Sequence, residues 1–172
     1  IDSKTLNIDV NVIRDLITPR TKAIITVHYA GLSCDMDQII KIAKEFDISV
    51  IEDAAQAFGS YLRKKPLGSF GDFACFSFHE TKNIHSGSGG MLVVNNKKFL
   101  KKVRFIFDKG TNRFLMNSDK IRYYSWVTVG SAFLMTELSA SYLKPQIEKI
   151  NIIIQKRSKL YNRYLNQLDK IS

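Results

Sequence analysis

At 172 residues the chain is long enough to bury a sizeable core, and 45% hydrophobic with 24% charged residues excludes a disordered chain. No run approaches the roughly 20 apolar residues that cross a bilayer, and the first residues, IDSKTLNIDV, lack the basic start and apolar middle of a signal peptide. A cytoplasmic protein without a membrane partner is expected. The net charge of +10 would suit a nucleic-acid partner, but the lysines are spread along helix-like segments such as KKFLKKVR at 97–104, which reads as a solvated face. The same field would favour an anionic small substrate such as a nucleotide diphosphate.

The first pattern in chain order is AIITVH, Ala23 to His28, a β-branched run that predicts a strand. Asp35 then caps a helix in which Met36, Ile39, Ile40 and Ala43 recur at helical spacing. Residues 48–55, ISVIEDAA, are apolar on both alternating faces, which predicts a central parallel strand covered by helices on both sides. This strand–helix–strand unit belongs to open α/β sheets, whose ligands gather beyond the carboxyl ends of the strands, and Asp53 sits at such an end.

Turn signals at 64–71, KKPLGSFG, precede a third strand, DFACFSF at 72–78, and MLVVN at 91–95 predicts a fourth, antiparallel to it across the loop 79–90. Phe99, Leu100, Val103 and Phe107 mark an amphipathic helix. The stretch after DKGTNR (108–113), which carries the single tryptophan, Trp126, has no clear period. From Thr136 to Leu168 the pattern is helical, with Pro145 either kinking it or opening a second helix, and with Ile147, Ile150, Ile154, Tyr161, Tyr164 and Leu168 on one face. The chain opens and stops within element-like patterns, which predicts a piece of a larger protein.

Cys34 and Cys75 lie far apart with no histidine or cysteine at metal-ligand spacing, so two buried small apolar groups are expected, and neither a metal site nor a disulfide. The chemistry rests elsewhere. Lys82 falls in a loop between an apolar strand and the glycines at 87, 89 and 90. A lysine there can form a Schiff base with a carbonyl cofactor, and pyridoxal phosphate then requires an acid against its ring nitrogen, a part open to Asp53. Gln56 and Ser77 offer hydrogen bonds to the ring and the phosphate. Singly, each is ordinary: a loop lysine in water, a turn carboxylate, two loop hydrogen-bonders. His28 and His79 read as structural histidines. The combination carries the weight, because an acid and a lysine just past the ends of adjacent strands converge on one ligand.

The runs TPRTKAIITVHYAG (18–31), VIEDAAQAFGS (50–60), CFSFHETKN (75–83) and KGTNR (109–113) resemble the DegT-like sugar aminotransferases, pyridoxal-phosphate enzymes of fold type I. The resemblance implies an α/β fold with a mixed, mainly parallel sheet flanked by helices, residues 1–172 being part of the large domain. The N-terminal part of that domain and a C-terminal small domain would lie outside the chain, since family members are about twice as long. It also implies a homodimer that moves an amino group from glutamate to a nucleotide-linked 4-keto-6-deoxy sugar for cell-surface polysaccharide such as lipopolysaccharide. The likeness is strongest to enzymes converting dTDP-4-oxo-6-deoxyglucose into dTDP-4-amino-4,6-dideoxygalactose.

By position, Lys82 would bind the cofactor aldehyde, Asp53 would pair with the pyridine nitrogen, Gln56 would lie against the ring and Ser77 would hold the phosphate. Lys109 and Arg113 are expected to bind the nucleotide diphosphate. Ser88 stands where family members carry an acid before the double glycine, and Leu134 where many carry an asparagine that reaches the partner's cofactor. Relatives that dehydrate sugars carry histidine in place of the lysine, so Lys82 argues for amino transfer. A non-catalytic basic binding module, or an inactive fragment of the enzyme, is the alternative.

Overall fold

The computed structural model describes residues 1–170. Its centre is a four-stranded sheet in the order β1 (Ala23–Val27), β2 (Ser49–Asp53), β5 (Phe73–Ser77), β6 (Gly90–Val94). The first three strands run parallel, and β6 returns antiparallel to β5, as the short connection between them requires. A short helix, α1 (Ile13–Leu16), precedes β1, and between β1 and β2 lies helix α2 (Met36–Glu45), whose first turn is closed by the Asp35 side chain accepting the Gln38 N–H. Met36, Ile39, Ile42 and Ala43 are buried against Ile24 and Val50 of the sheet. Ile42, which the sequence pattern did not single out, is 1% exposed, while Ile40 sits at the margin of the cluster.

The two faces of the sheet are covered unequally. Ile24, Val50, Ala74 and Phe76 point into the two core clusters, whereas on the opposite face Ile25 is 61% and Leu92 45% exposed and Phe73 is met by Phe99. The sheet is mixed, mainly parallel and flanked by helices as expected, and β2 alternates between a buried face and a half-buried one. Cys75 corrects the cysteine reading, being exposed on the less covered face, while Cys34 is buried.

The turn signals at 64–71 contain a small hairpin, β3 (Tyr61–Leu62) and β4 (Lys65–Pro66), closed by Arg63 and Lys64 at φ of 47° and 71°. Two successive positive φ values fit a primed hairpin turn, which usually recruits glycine or asparagine. Arg63 pairs with Asp37 of α2, tying the hairpin to the helix.

Beyond β6 a 3₁₀ turn (Lys97–Phe99) leads into α3 (Leu100–Phe107), and Phe99 packs on Phe73 of β5 with ring centroids 4.9 Å apart. The segment without a period holds only a four-residue helix, α4 (Arg113–Met116), and two isolated bridges, Asp108 to Ala132 and Thr111 to Trp126. The last third is two helices, α5 (Glu137–Glu148) and α6 (Ile150–Leu168), which meet at Lys149. Pro145 lies inside α5, four residues before the junction at Lys149, so it neither marks the break nor opens α6. Ile150 and Ile153 pack against Phe78, Ile84 and Leu143; further along α6, Tyr161, Tyr164 and Leu168 are exposed.

Glu52 is the chief polar group of the core, with none of its surface exposed. Its carboxylate accepts N–H bonds from Gly68, Phe70 and Gly71, each at 2.7 Å, and contacts His28 Nε2 at 3.0 Å. Cys34 N–H points at His28 Nδ1 at 3.2 Å, so the geometry assigns the ring proton to Nε2, where it donates to Glu52. Gly68 reaches its donor position only because it adopts φ of +88° with its Cα against the Phe76 ring, where a Cβ would lie 2.5 Å from Cζ. Burial pushes the Glu52 carboxyl up, but the His28 hydrogen bond and the Gly71, Gly68 and Phe70 N–H groups outweigh it and hold it below its ordinary 4.5.

A carboxyl depressed in the folded state adds stability that is complete above pH 4.5 and drains away as acid carries the group through its lower folded value. Glu52→Gln, which turns an NH₂ toward two donors, should cost about 3 kcal/mol in urea unfolding at pH 7. It should also flatten the loss of stability below pH 4.5; an unchanged acid slope would locate the titrating group elsewhere.

Candidate active site

The carboxyl ends of β2 and β5 lie side by side. In register, Val27 pairs with Asp53 and Asp53 with Cys75, and Ser77 ends β5 two residues further on. Alternation puts Asp53 on the more exposed face, opposite to Glu52. Asp53 Oδ1 accepts the Ala55 N–H at 3.0 Å, and Oδ2 has no hydrogen-bond partner among the described residues. Partial desolvation and then the Asp53 carboxylate push the Cys75 thiol above its ordinary value, which registers the acid's charge on this face.

Lys82 is carried by the loop 78–89 that joins β5 to β6. The loop is closed at its root by Phe78 N–H to Gly89 O at 2.9 Å and Ser86 N–H to Phe78 O at 2.9 Å. A turn from His79 O to Lys82 N–H, 2.9 Å, sets the lysine backbone, and Ile84, 1% exposed, pins the far side of the turn against Phe78 and Leu143. Ser77 Oγ accepts the His79 N–H at 3.3 Å, and His79 Nδ1 lies 3.0 Å from Thr81 Oγ1. Both are local loop bonds, consistent with a structural His79.

Gln56, Ser77 and Lys82 line one cavity of about 260 Å³ together with Ala30, Ala55, Phe58, Thr81, Asn83 and Ile84. Gln56 Oε1 accepts the Ala30 N–H at 2.7 Å, at a residue held at φ of 52°, which leaves Nε2 as the free end of the amide. The donor set suits pyridoxal phosphate: an amine and hydroxyls on one cavity, and an acid at the neighbouring strand end with one oxygen anchored and one free. The cavity is smaller than the roughly 300 to 1,000 Å³ usual for small-molecule sites.

Lys109 and Arg113 do not line that cavity. Lys109, at φ of 58°, donates its N–H to Ser131 O at 3.1 Å. The next residue, Gly110, packs so closely on the 128–130 backbone that a Cβ would lie 1.9 Å from Thr128 O, which explains the glycine in KGTNR. Arg113 opens α4 with its guanidinium 5.9 Å from the Tyr124 ring centroid, and it lines a second, basic cavity with Arg104, Lys120 and Leu134. Sequence reasoning missed Thr81, Asn83 and Ala30 as wall residues, because none carries a chemical signal of its own; their neighbours Lys82 and Gly31 were the only pointers.

The chain matches the DegT/DnrJ/EryC1/StrS aminotransferase family over residues 1–172. A protein of Methanocaldococcus jannaschii, MJ1066, is 41% identical over 98% of this chain and 45% of its own. GDP-perosamine synthase of Caulobacter vibrioides is 37% identical over 99% of this chain and 44% of its own. Among solved structures, Spr1654 of Streptococcus pneumoniae in its PLP form superposes with a TM-score of 0.84 at 27% identity, covering 96% of this chain and 46% of that one. The chain thus spans less than half the length of the proteins it matches.

If Gln56 serves the wall by holding Ala30, Gln56→Ala should lower stability by roughly 1 kcal/mol, the worth of one hydrogen bond, in thermal or urea unfolding. Gln56→Glu, which keeps the accepting oxygen, should restore most of that; equal losses in the two variants would remove Ala30 as its partner.

Proposed function

Because the chain belongs to the DegT/DnrJ/EryC1/StrS aminotransferase family, whose cofactor is pyridoxal phosphate, we propose that it is the cofactor-binding part of an enzyme that aminates a nucleotide-linked 4-keto-6-deoxy sugar. The amino donor is glutamate, and the enzyme works as a cytoplasmic homodimer. Residues 1–172 form part of its large domain, and the small domain lies elsewhere in the longer protein. The observation that carries the reading is the meeting of Gln56, Ser77 and Lys82 on one cavity beside the strand end that bears Asp53.

When bound, pyridoxal phosphate supplies an aldehyde that condenses with primary amines and a ring that accepts electron density from the adjoining carbon. The chain's own residues do the rest. Asp53 Oδ2, the free carboxylate oxygen, would hold a proton-bearing ring nitrogen by a charge-assisted hydrogen bond, while Ala55 N–H holds Oδ1. Gln56 would offer its Nε2 to the ring, and Ser77 Oγ, with the loop's N–H groups, would take the phosphate. Lys82 Nζ would hold the cofactor in the resting enzyme and, once displaced by an incoming amine, would move a proton between the substrate carbon and the cofactor's aldehyde-derived carbon as base and acid.

Arg113, in its basic cavity with Arg104 and Lys120, binds the diphosphate of the substrate, assisted by Lys109. The expected nucleotide is dTDP. The likeness to a GDP-perosamine synthase favours a GDP-linked sugar as the second reading, and turnover of the two nucleotide sugars side by side decides between them.

In the full-length protein, Lys82→Ala should abolish the visible absorption band that pyridoxal phosphate gains on lysine attachment. Asp53→Asn should keep the band and lower kcat by on the order of 100-fold or more. Arg113→Ala should raise the KM for the sugar nucleotide and leave that for glutamate unchanged; equal rises would take Arg113 out of the diphosphate site.

A further inference from the structure

The Gln146 side chain, on the α5 turn that faces the loop 78–89, makes both of the hydrogen bonds a neighbouring peptide would make. His85 N–H donates to Gln146 Oε1 at 3.1 Å, and Gln146 Nε2 donates to His85 O at 2.8 Å. The same Nε2 donates to Tyr142 O at 2.9 Å, so the amide is oriented by its own helix before it meets the loop. The Tyr142 ring lies 5.4 Å from the His85 ring, and Leu143 of the same helix closes over Ile84. The loop's distal turn is thus held from outside itself, across 61 positions of sequence, at the residue three places after Lys82.

We propose that Gln146 is a positioning residue for Lys82: its carboxamide docks the His85 N–H and C=O and so fixes where the loop delivers the lysine amine. It is not a catalytic residue, since it does not line the cavity that holds Lys82. Only a carboxamide of this length both donates and accepts here; a carboxylate lacks the donor and an alanine lacks both. The loop's other polar ties are internal to it: Phe78 N–H to Gly89 O, Ser86 N–H to Phe78 O and Glu80 N–H to Gly87 O. Without Gln146, the turn between Lys82 and Ile84 would keep its apolar pin and lose its polar one.

This inference rests on the reading of Lys82 as the cofactor-binding amine. In that reaction Lys82 Nζ adds to the aldehyde carbon and water leaves, so a C=N bond replaces the C=O bond with no net oxidation or reduction. Positioning of the amine should therefore matter to pyridoxal phosphate, which makes that bond, and not to pyridoxamine phosphate, which has an amine in place of the aldehyde.

The test is titration of full-length wild type, Gln146→Ala and Gln146→Glu with each cofactor form. Gln146→Ala should bind pyridoxal phosphate about tenfold more weakly and pyridoxamine phosphate within about twofold of wild type, with Gln146→Glu between. Hydrogen exchange of the 82–86 amides should rise in the same order. If both forms weaken together, or neither does, Gln146 does not position Lys82 and the inference fails alone. If wild type gains no lysine-linked absorption with pyridoxal phosphate, the reading of Lys82 fails and takes this inference with it. Should Gln146→Ala not fold, Gln146→Glu against wild type gives the same comparison.

Discussion

A buried carboxylate sets the frame on which everything else is placed. Glu52 is wholly enclosed, and an isolated charge there would cost several kcal/mol; it is tolerated because three backbone N–H groups and the His28 ring surround it. Those partners come from two places in the chain, the exit of β1 and the turn before β5, and His28 is itself held by the amide of Cys34. Glu52 therefore ties the end of its own strand to the exit of β1 and the entry of β5. Asp53, the next residue on the opposite face, inherits that position.

From this frame the site follows by short connections. The β1 exit loop supplies Ala30, whose N–H donates to the Gln56 side-chain oxygen; β5 supplies Ser77; and the loop beyond it turns back through Lys82 before Ile84 returns it to the core. Rigid strand ends hold the acid, while a loop anchored at both root and tip holds the amine. That division suits chemistry in which an acid stays still against a ring and a lysine is displaced and returns. The more exposed apolar face of the sheet adjoins the same strand ends.

Strands and α2 were readable because each has a local signal: β-branched runs mark β1 and β2, and Asp35 announces its helix. Gln56, Ser77 and Lys82, singled out by residue type and place in the chain, lie on one cavity in the structure. What escaped reading depends on partners distant in sequence. Glu52 looks like any acid at the end of a strand until Gly68 to Gly71 fold onto it, and Gln146 is one amide on a polar helix until His85 arrives. Arg63 and Lys64 take positive φ values that composition assigns to glycine or asparagine, because the contact of Arg63 with Asp37 and the pairing of β3 with β4 hold them there. The unequal cover of the two sheet faces escaped too, since an apolar residue reads the same whether it is covered by its own chain or left bare.

The central claim is that the Lys82 amine and the Asp53 carboxylate serve a single pyridoxal phosphate. Borohydride reduction of the loaded full-length protein, followed by peptide mass mapping, tests it most directly. The account predicts the pyridoxyl group on the peptide that contains Lys82, and its loss from that peptide when glutamate is added before reduction. A label on any other lysine, or none at all, would contradict it.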